Sequence, residues 1–317
     1  MVERVLRRRV ALTPSADGAM SQTAAWLIPL VALLVVATGW AYWSTAADMF
    51  KEWQQDDDYS AGQLVPLVAI FFLWVDRKQL ARLPLRPCWL GGLALLVLAQ
   101  AARAYGVLFL FESAERYSLV LAVAALVLMV AGTAVFWRVK WILLFLFLMV
   151  PLPGRIHNMI SGPLQGFAST GSVFVLEAFG VRVSQQGNVV TLDQRIPMGV
   201  AEACSGLRML TAFIIVAVFV AYMVKRPRWQ KAVLVISSIP VAVLCNVLRI
   251  VATAVLFLHA SSEVAEKFFH DFAGLVMMPA AVMLMFGQLW IMAMLTVPED
   301  KPPQKAVVIG RRKPRGQ

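Results

Sequence analysis

Eight apolar runs, each near the length that crosses a bilayer, dominate this 317-residue sequence. They lie near residues 24–43, 61–76, 88–110, 117–136, 140–153, 205–224, 232–258 and 272–297. About 20 apolar residues in a helix cross a hydrocarbon core roughly 30 Å thick. Within lipid every backbone amide needs a partner in the chain, which leaves helices or closed barrels. Runs of this length select helices, so the expected fold is an all-α integral membrane protein with about eight transmembrane helices. The second and fifth runs are short, and Pro151 and Pro153 end the fifth. Arg4, Arg7, Arg8 and Arg9 precede the first run as they would in a signal peptide. That run exceeds the usual h-region of about 7–15 residues, so it reads as a retained span.

Charge placement sets the expected orientation. Apolar residues make up 60% of the chain and charged ones 15%, and the net charge is +11. The basic residues gather at the ends of apolar runs and form no stripe along one helix, which argues against a nucleic-acid partner. Arg77, Lys78, Arg82 and Arg86 fall in one expected inner loop, Arg138 and Lys140 in the next, and Lys225, Arg226, Arg228 and Lys231 in a third. The tail adds Lys301, Lys305, Arg311, Arg312, Lys313 and Arg315, whereas the acidic run Asp56-Asp57-Asp58 lies on the other side. By the positive-inside rule both termini are cytoplasmic. Residues 1–23 then form a basic arm, 24–297 the membrane domain, and 298–317 a basic tail expected to be disordered. Cys88, Cys204 and Cys245 are far apart without CxxC spacing, so neither a disulfide framework nor a metal cluster is expected.

One outer segment, from about Gly154 to Ala203, is long. Its first part is Gly- and Ser-rich, too polar to span, and suits an interfacial or re-entrant helix pair. Its second part alternates and contains Gly187-Asn188, which predicts a small β-hairpin before the sixth span.

Ionisable groups within membrane helices are costly and mark a function or a buried partner. In Glu202-Ala203-Cys204-Ser205-Gly206-Leu207-Arg208 the cysteine falls near the start of the sixth span. There the helix dipole favours a thiolate, and Arg208, four residues on, shares its face. The bland alternative is a small buried cysteine with a snorkelling arginine. Asn246, Arg249 and Thr253 form one polar stripe on the seventh span. Arg249 lies roughly nine residues, about 14 Å, below that span's outer end, a depth that makes snorkelling difficult. A structural arginine tying helices together is the alternative. His270-Asp271 opens the eighth span, although His157 and His259 fall on the same side. Arg103 in the third span is open to pairing with Glu112 or another outer carboxylate. Cys88 and Cys245 read as packing residues.

A thiolate, an arginine and a histidine suffice for acyl transfer. No GxSxG, HExxH, P-loop or haem motif is present. The chain resembles the exosortase/archaeosortase family, on EACSGLR at 202–208, NVLRI at 246–250, HDFAG at 270–274, PLPGRI at 151–156 with PLQ at 163–165, and DYSAGQLVPL at 58–67. The resemblance implies Cys204 as nucleophile, Arg249 as essential arginine and His270 as third member, with Glu202, Arg208, Asn246 and Asp271 in support and no cofactor. It also implies membrane-anchored protein substrates whose C-terminal signal is a Pro-Glu-Pro-like motif, a membrane helix and a basic tail. Cleavage or transfer would occur at the outer face of the bacterial inner membrane, in a site recessed into the bilayer, and such enzymes often accompany exopolysaccharide loci. One departure is visible, since the family often has Ser-His-Gly where this chain has Ser60-Ala61-Gly62. Two other readings stay open: a transporter or assembly factor for polysaccharide export, and an acyltransferase using the same cysteine. Alkaline phosphatase fused after Arg82 or Arg226 is expected to be inactive, and after Asp57 or Gly187 active. Activity at Arg226 would invert the scheme.

Overall fold

The computed structural model describes residues 29, 31–187, 189–192, 196–199, 206–259 and 273–295. Nine helices and one small sheet make up this part of the chain. Helix α1 (Val31–Ala41) runs almost directly into α2 (Trp43–Gln55), and the intervening Tyr42 still donates its amide to Thr38 (3.0 Å) and accepts from Ala46 (2.9 Å). The expected first span therefore continues as a helix beyond residue 43. A 3₁₀ turn (Ser60–Gln63) leads into α3 (Leu64–Leu80), followed by α4 (Trp89–Leu108) and α5 (Glu112–Phe145). Four described helical stretches are long and apolar enough to cross a membrane: Ser60–Leu80, Trp89–Leu108, Glu112–Met149 and Arg228–His259. The protein is a multi-pass, all-α membrane protein.

Helix α5 is really two arms. Along a straight helix Tyr117 and Phe147 would stand about 45 Å apart, yet their rings stack at 5.9 Å. The chain reverses at Gly132, whose φ of 83° and ψ of 179° only glycine adopts readily. A β-carbon there would lie 1.8 Å from the Arg86 carbonyl oxygen, and Arg86 pairs with Gly132 in a short parallel bridge. The fourth and fifth expected spans are thus both present, but the turn between them falls at Gly132 and not around Arg138 and Lys140. Those two residues lie within the second arm. Arg138 instead pairs with the buried Asp76 carboxylate of α3 (3.1 Å), which also accepts from Tyr222 (2.7 Å). One carboxylate so ties three helices together at the basic end.

The long connecting segment also differs from expectation. It forms a single helix, α6 (Gly154–Ala178), with Pro163 inside it, and not a pair. Proline costs one backbone hydrogen bond in a helix interior. It does not break this one, whose neighbouring Gly162 and Gly166 have nothing within 4 Å of their would-be β-carbons. The expected hairpin follows: β1 (Val183–Gln186) pairs antiparallel with β2 (Val189–Leu192) across Gly187, which has a φ of 62°. A third strand, β3 (Ile196–Gly199), extends the sheet.

Helices α7 (Gly206–Met223) and α8 (Arg228–His259) form a hairpin closed by residues 224–227. One core holds Leu207, Phe213 and Ala217 of α7, Leu234, Ala242 and Cys245 of α8, and Met285 and Leu289 of α9 (Ala273–Leu295). The arms are unequal, 18 residues against 32. Counted from the turn, Gly206 stands level with Cys245. The rest of α8 projects about 21 Å further. Against this projection lie Ala168 and Leu176 of α6 and Val190 and Leu192 of β2, in one cluster with Ile250 and Ala254.

The reversal generates a prediction. Gly132→Ala combines a forbidden φ, costing about 1–3 kcal/mol, with a backbone clash, and should prevent recovery of folded protein from detergent. Gly162→Ala, in an open helical position, should instead raise the melting temperature through about 0.5–1 kcal/mol. Equal behaviour of the two variants would refute a reversal at Gly132.

Candidate functional site

Of the residues read as a site, Arg249, Asn246 and Arg208 lie within the described structure. Cys204, His270, Glu202 and Asp271 lie outside the described residues. The α8 stripe is buried throughout: Asn246 is 2% exposed, Arg249 7% and Thr253 1%. Thr253 Oγ1 donates to the Arg249 carbonyl at 2.9 Å, so its polarity is satisfied within the helix. The unequal hairpin arms change the meaning of Arg249's position. It lies well short of the end of α8, as expected. Yet, counted from the turn, it lies about 6 Å beyond the level of Gly206, where α7 begins, and not deep within the paired span.

Arg208 does not stand free on the face of α7. It forms an ion pair with the Asp57 carboxylate, and its Nε donates to the Asp57 carbonyl at 2.7 Å. The side chains are 40% and 75% exposed. Such a pair contributes roughly 0–1 kcal/mol, and its main effect is positional, fixing the acidic run against the first turn of α7. A partner of opposite charge also reduces what Arg208 could add to the stability of a nearby thiolate.

The acidic run reaches further than a topology signal would. Asp58 Oδ2 lies 3.6 Å from His157 Nε2 on α6. Tyr59 Oη lies 2.8 Å from His157 Nδ1 and 3.3 Å from the Leu152 carbonyl. Three consecutive residues, Asp57, Asp58 and Tyr59, therefore connect α7, α6 and the strand-like entry to α6. With the Tyr59 hydroxyl donating to the Leu152 carbonyl, the fitting His157 tautomer is the one whose Nδ1–H donates to Tyr59 Oη. Burial, followed by the negative charges of Asp56, Glu52 and Asp58, pushes the Tyr59 phenol up to about 12. Tyr59 so remains a neutral donor at physiological pH. Sequence reading assigned no role to this cluster: Asp58 and Tyr59 open the DYSAGQLVPL motif and His157 directly follows PLPGRI, but residues 98 and 99 apart carry no local sign that they meet. Among the described residues His259 meets only its own helix, at the Val255 carbonyl (3.0 Å).

Beside Asp57 an open groove of about 920 Å³ is lined by Asp48, Glu52, Asp56, Glu112 and Glu115, with Lys51 and Arg116. Arg116 bridges Glu52 (2.5 Å) and Glu112 (2.8 Å). Burial raises the Glu52 carboxyl, against the lowering effect of Arg116. Arg103 does not take Glu112 as its partner. Its guanidinium stacks over Tyr42 at 4.6 Å, and the Tyr42 hydroxyl accepts from Ser118 at 3.0 Å. Among the described residues no group of three His, Cys, Asp or Glu side chains could hold a metal ion.

Fold and site together define a polytopic helical membrane protein with a buried arginine set beside the start of a packed helix. The model of the transmembrane exosortase family (Exosortase_EpsH) matches residues 53–287, and the chain belongs to that family. No curated protein and no solved structure matches it. Titration of tyrosine absorbance should show one phenol ionising near pH 12 and not near 10.0, and Tyr59→Phe should remove that component. Loss of a component near pH 10 in the variant would contradict the buried, acid-flanked setting.

Proposed function

We propose that the protein is a membrane-embedded cysteine transpeptidase or protease. It would cleave C-terminal sorting signals built from a Pro-Glu-Pro-like motif, a membrane helix and a basic tail. The observation that carries this reading is the family match over residues 53–287, which encloses EACSGLR, NVLRI and HDFAG in order. The burial of Arg249, just beyond the level at which α7 begins, supports it.

In this mechanism the Cys204 thiolate attacks the scissile carbonyl, forming a C–S bond and an oxyanion. Arg249 stabilises that negative charge, or the thiolate before it. The C–N bond then breaks, and His270 supplies a proton to the departing amine. The resulting thioester is attacked by an acceptor nucleophile or by water, with His270 taking the proton back. Thiolate is regenerated and the substrate leaves joined to the acceptor or as a free acid. Glu202, Arg208, Asn246 and Asp271 have supporting roles. Arg208, held by Asp57, is assigned to positioning the first turn of α7.

The site would face the periplasm from the inner membrane, with both termini cytoplasmic. Cys204→Ala and Cys204→Ser should abolish trimming of a co-expressed Pro-Glu-Pro-tailed protein while inserting normally. Arg249→Lys should reduce it at least tenfold, since a point charge does not replace a planar guanidinium. Unchanged trimming in the alanine variant would sink the mechanism.

A further inference from the structure

Buried hydroxyls on α6 and α8 mostly satisfy themselves within their helices. Ser172 Oγ donates to Ala168 (2.7 Å), Ser238 to Val235 (2.6 Å) and Thr253 to Arg249 (2.9 Å). Asn246 departs from this pattern. It is 2% exposed, and neither Nδ2 nor Oδ1 has a hydrogen-bond partner among the described residues. Ser169 Oγ is 0% exposed and likewise unpartnered. It lies one turn before Ser172, whose hydroxyl reaches the Val247 carbonyl at 3.4 Å, so it shares the face of α6 that meets α8. At Gly171 a β-carbon would stand 3.0 Å from Val247, which shows how closely the two helices approach. Unpaired polar atoms thus gather where α6 meets α8, level with the start of α7.

A buried carboxamide lacking both partners is unfavourable, and a leucine of similar volume removes that cost. Asn246 stands instead one turn before Arg249. Its side chain presents one acceptor and one donor in a common plane. A single residue of an extended peptide presents the matching pair, an N–H and a C=O on one edge, as when two strands exchange both bonds.

We propose that Asn246 is a main-chain binding subsite for the substrate peptide. Its Oδ1 accepts an N–H, and its Nδ2 donates to the C=O of the same substrate residue. The segment is thereby held extended beside Arg249, with Ser169 Oγ as a further polar contact. This subsite rests on the transpeptidase reading above. Both amide atoms are buried here, so binding of a strand requires the packing over Asn246 to open. Recognition by main-chain atoms makes the subsite indifferent to the side chain at that position.

The test uses full-length protein in nanodiscs. The probe is a synthetic peptide carrying Pro-Glu-Pro, a leucine-rich membrane helix and a basic tail, with a series N-methylated one residue at a time around the motif. In wild type one N-methyl position should raise KM at least tenfold. Asn246→Leu should melt at the same or a higher temperature and raise KM at least tenfold for the unmodified peptide. In that variant the sensitive N-methylation should cost nothing further. A lower melting temperature with unchanged KM marks a structural asparagine and overturns the proposal. So does an N-methyl penalty of equal size in both proteins, which leaves the transpeptidase reading standing. If wild type cleaves no probe while Cys204→Ala is equally inert, that reading fails and the subsite falls with it.

Discussion

The closure of two helices of unequal length by one short turn governs the geometry of this molecule. Helices α7 and α8 share a turn at residues 224–227, but α8 continues for 14 residues after α7 has begun. Because both rise at the same 1.5 Å per residue, the turn fixes which residues stand level. Cys245 faces the beginning of α7, and Asn246 and Arg249 follow just beyond it. The projecting part of α8 then gives α6 and the sheet an apolar surface, through Ile250 and Ala254, on which to pack. Val190 and Leu192 are buried between this projection and Ala168 and Leu176 of α6.

A second set of contacts holds the other side of that level. Asp57 takes Arg208, Asp58 approaches His157, and Tyr59 reaches His157 and the Leu152 carbonyl. Individually these partly exposed contacts are weak. Collectively they place one short acidic segment against α6 and α7 at once. Their stabilising effect is therefore less important than the position they enforce.

Much of the fold was legible because lipid imposes a single rule on backbone polarity, and apolar length reports it directly. The all-α membrane architecture followed from that rule, and the hairpin at Gly187 from the alternation on either side of it. The reversal at Gly132 did not, because it depends on the Arg86 carbonyl, brought there from another loop. Arg138 looked like a loop residue for want of knowing that Asp76 awaited it. The unity of α6 was hidden by Pro163 and by a polarity that suits packing on α8 as well as it suits an interface. For the site, the motifs pointed to Cys204, Arg249 and His270, of which the described structure contains Arg249. Its level could not be read from one helix, since depth along α8 is not depth relative to α7. The Tyr59–His157 contact was invisible because nothing local records a meeting 98 residues apart.

The shorter arm of the α7–α8 hairpin also measures a thickness. Between the clasped Arg208 and the basic Lys225, residues 209–224 extend about 24 Å. That falls short of a typical hydrocarbon core of about 30 Å. Such mismatch is relieved by local thinning of the bilayer, at a cost that grows with each ångström. Acyl-chain length thereby becomes a variable of the site. In long-chain lipids the Asp57–Arg208 clasp would be drawn towards hydrocarbon, and in short-chain lipids it would stay wet.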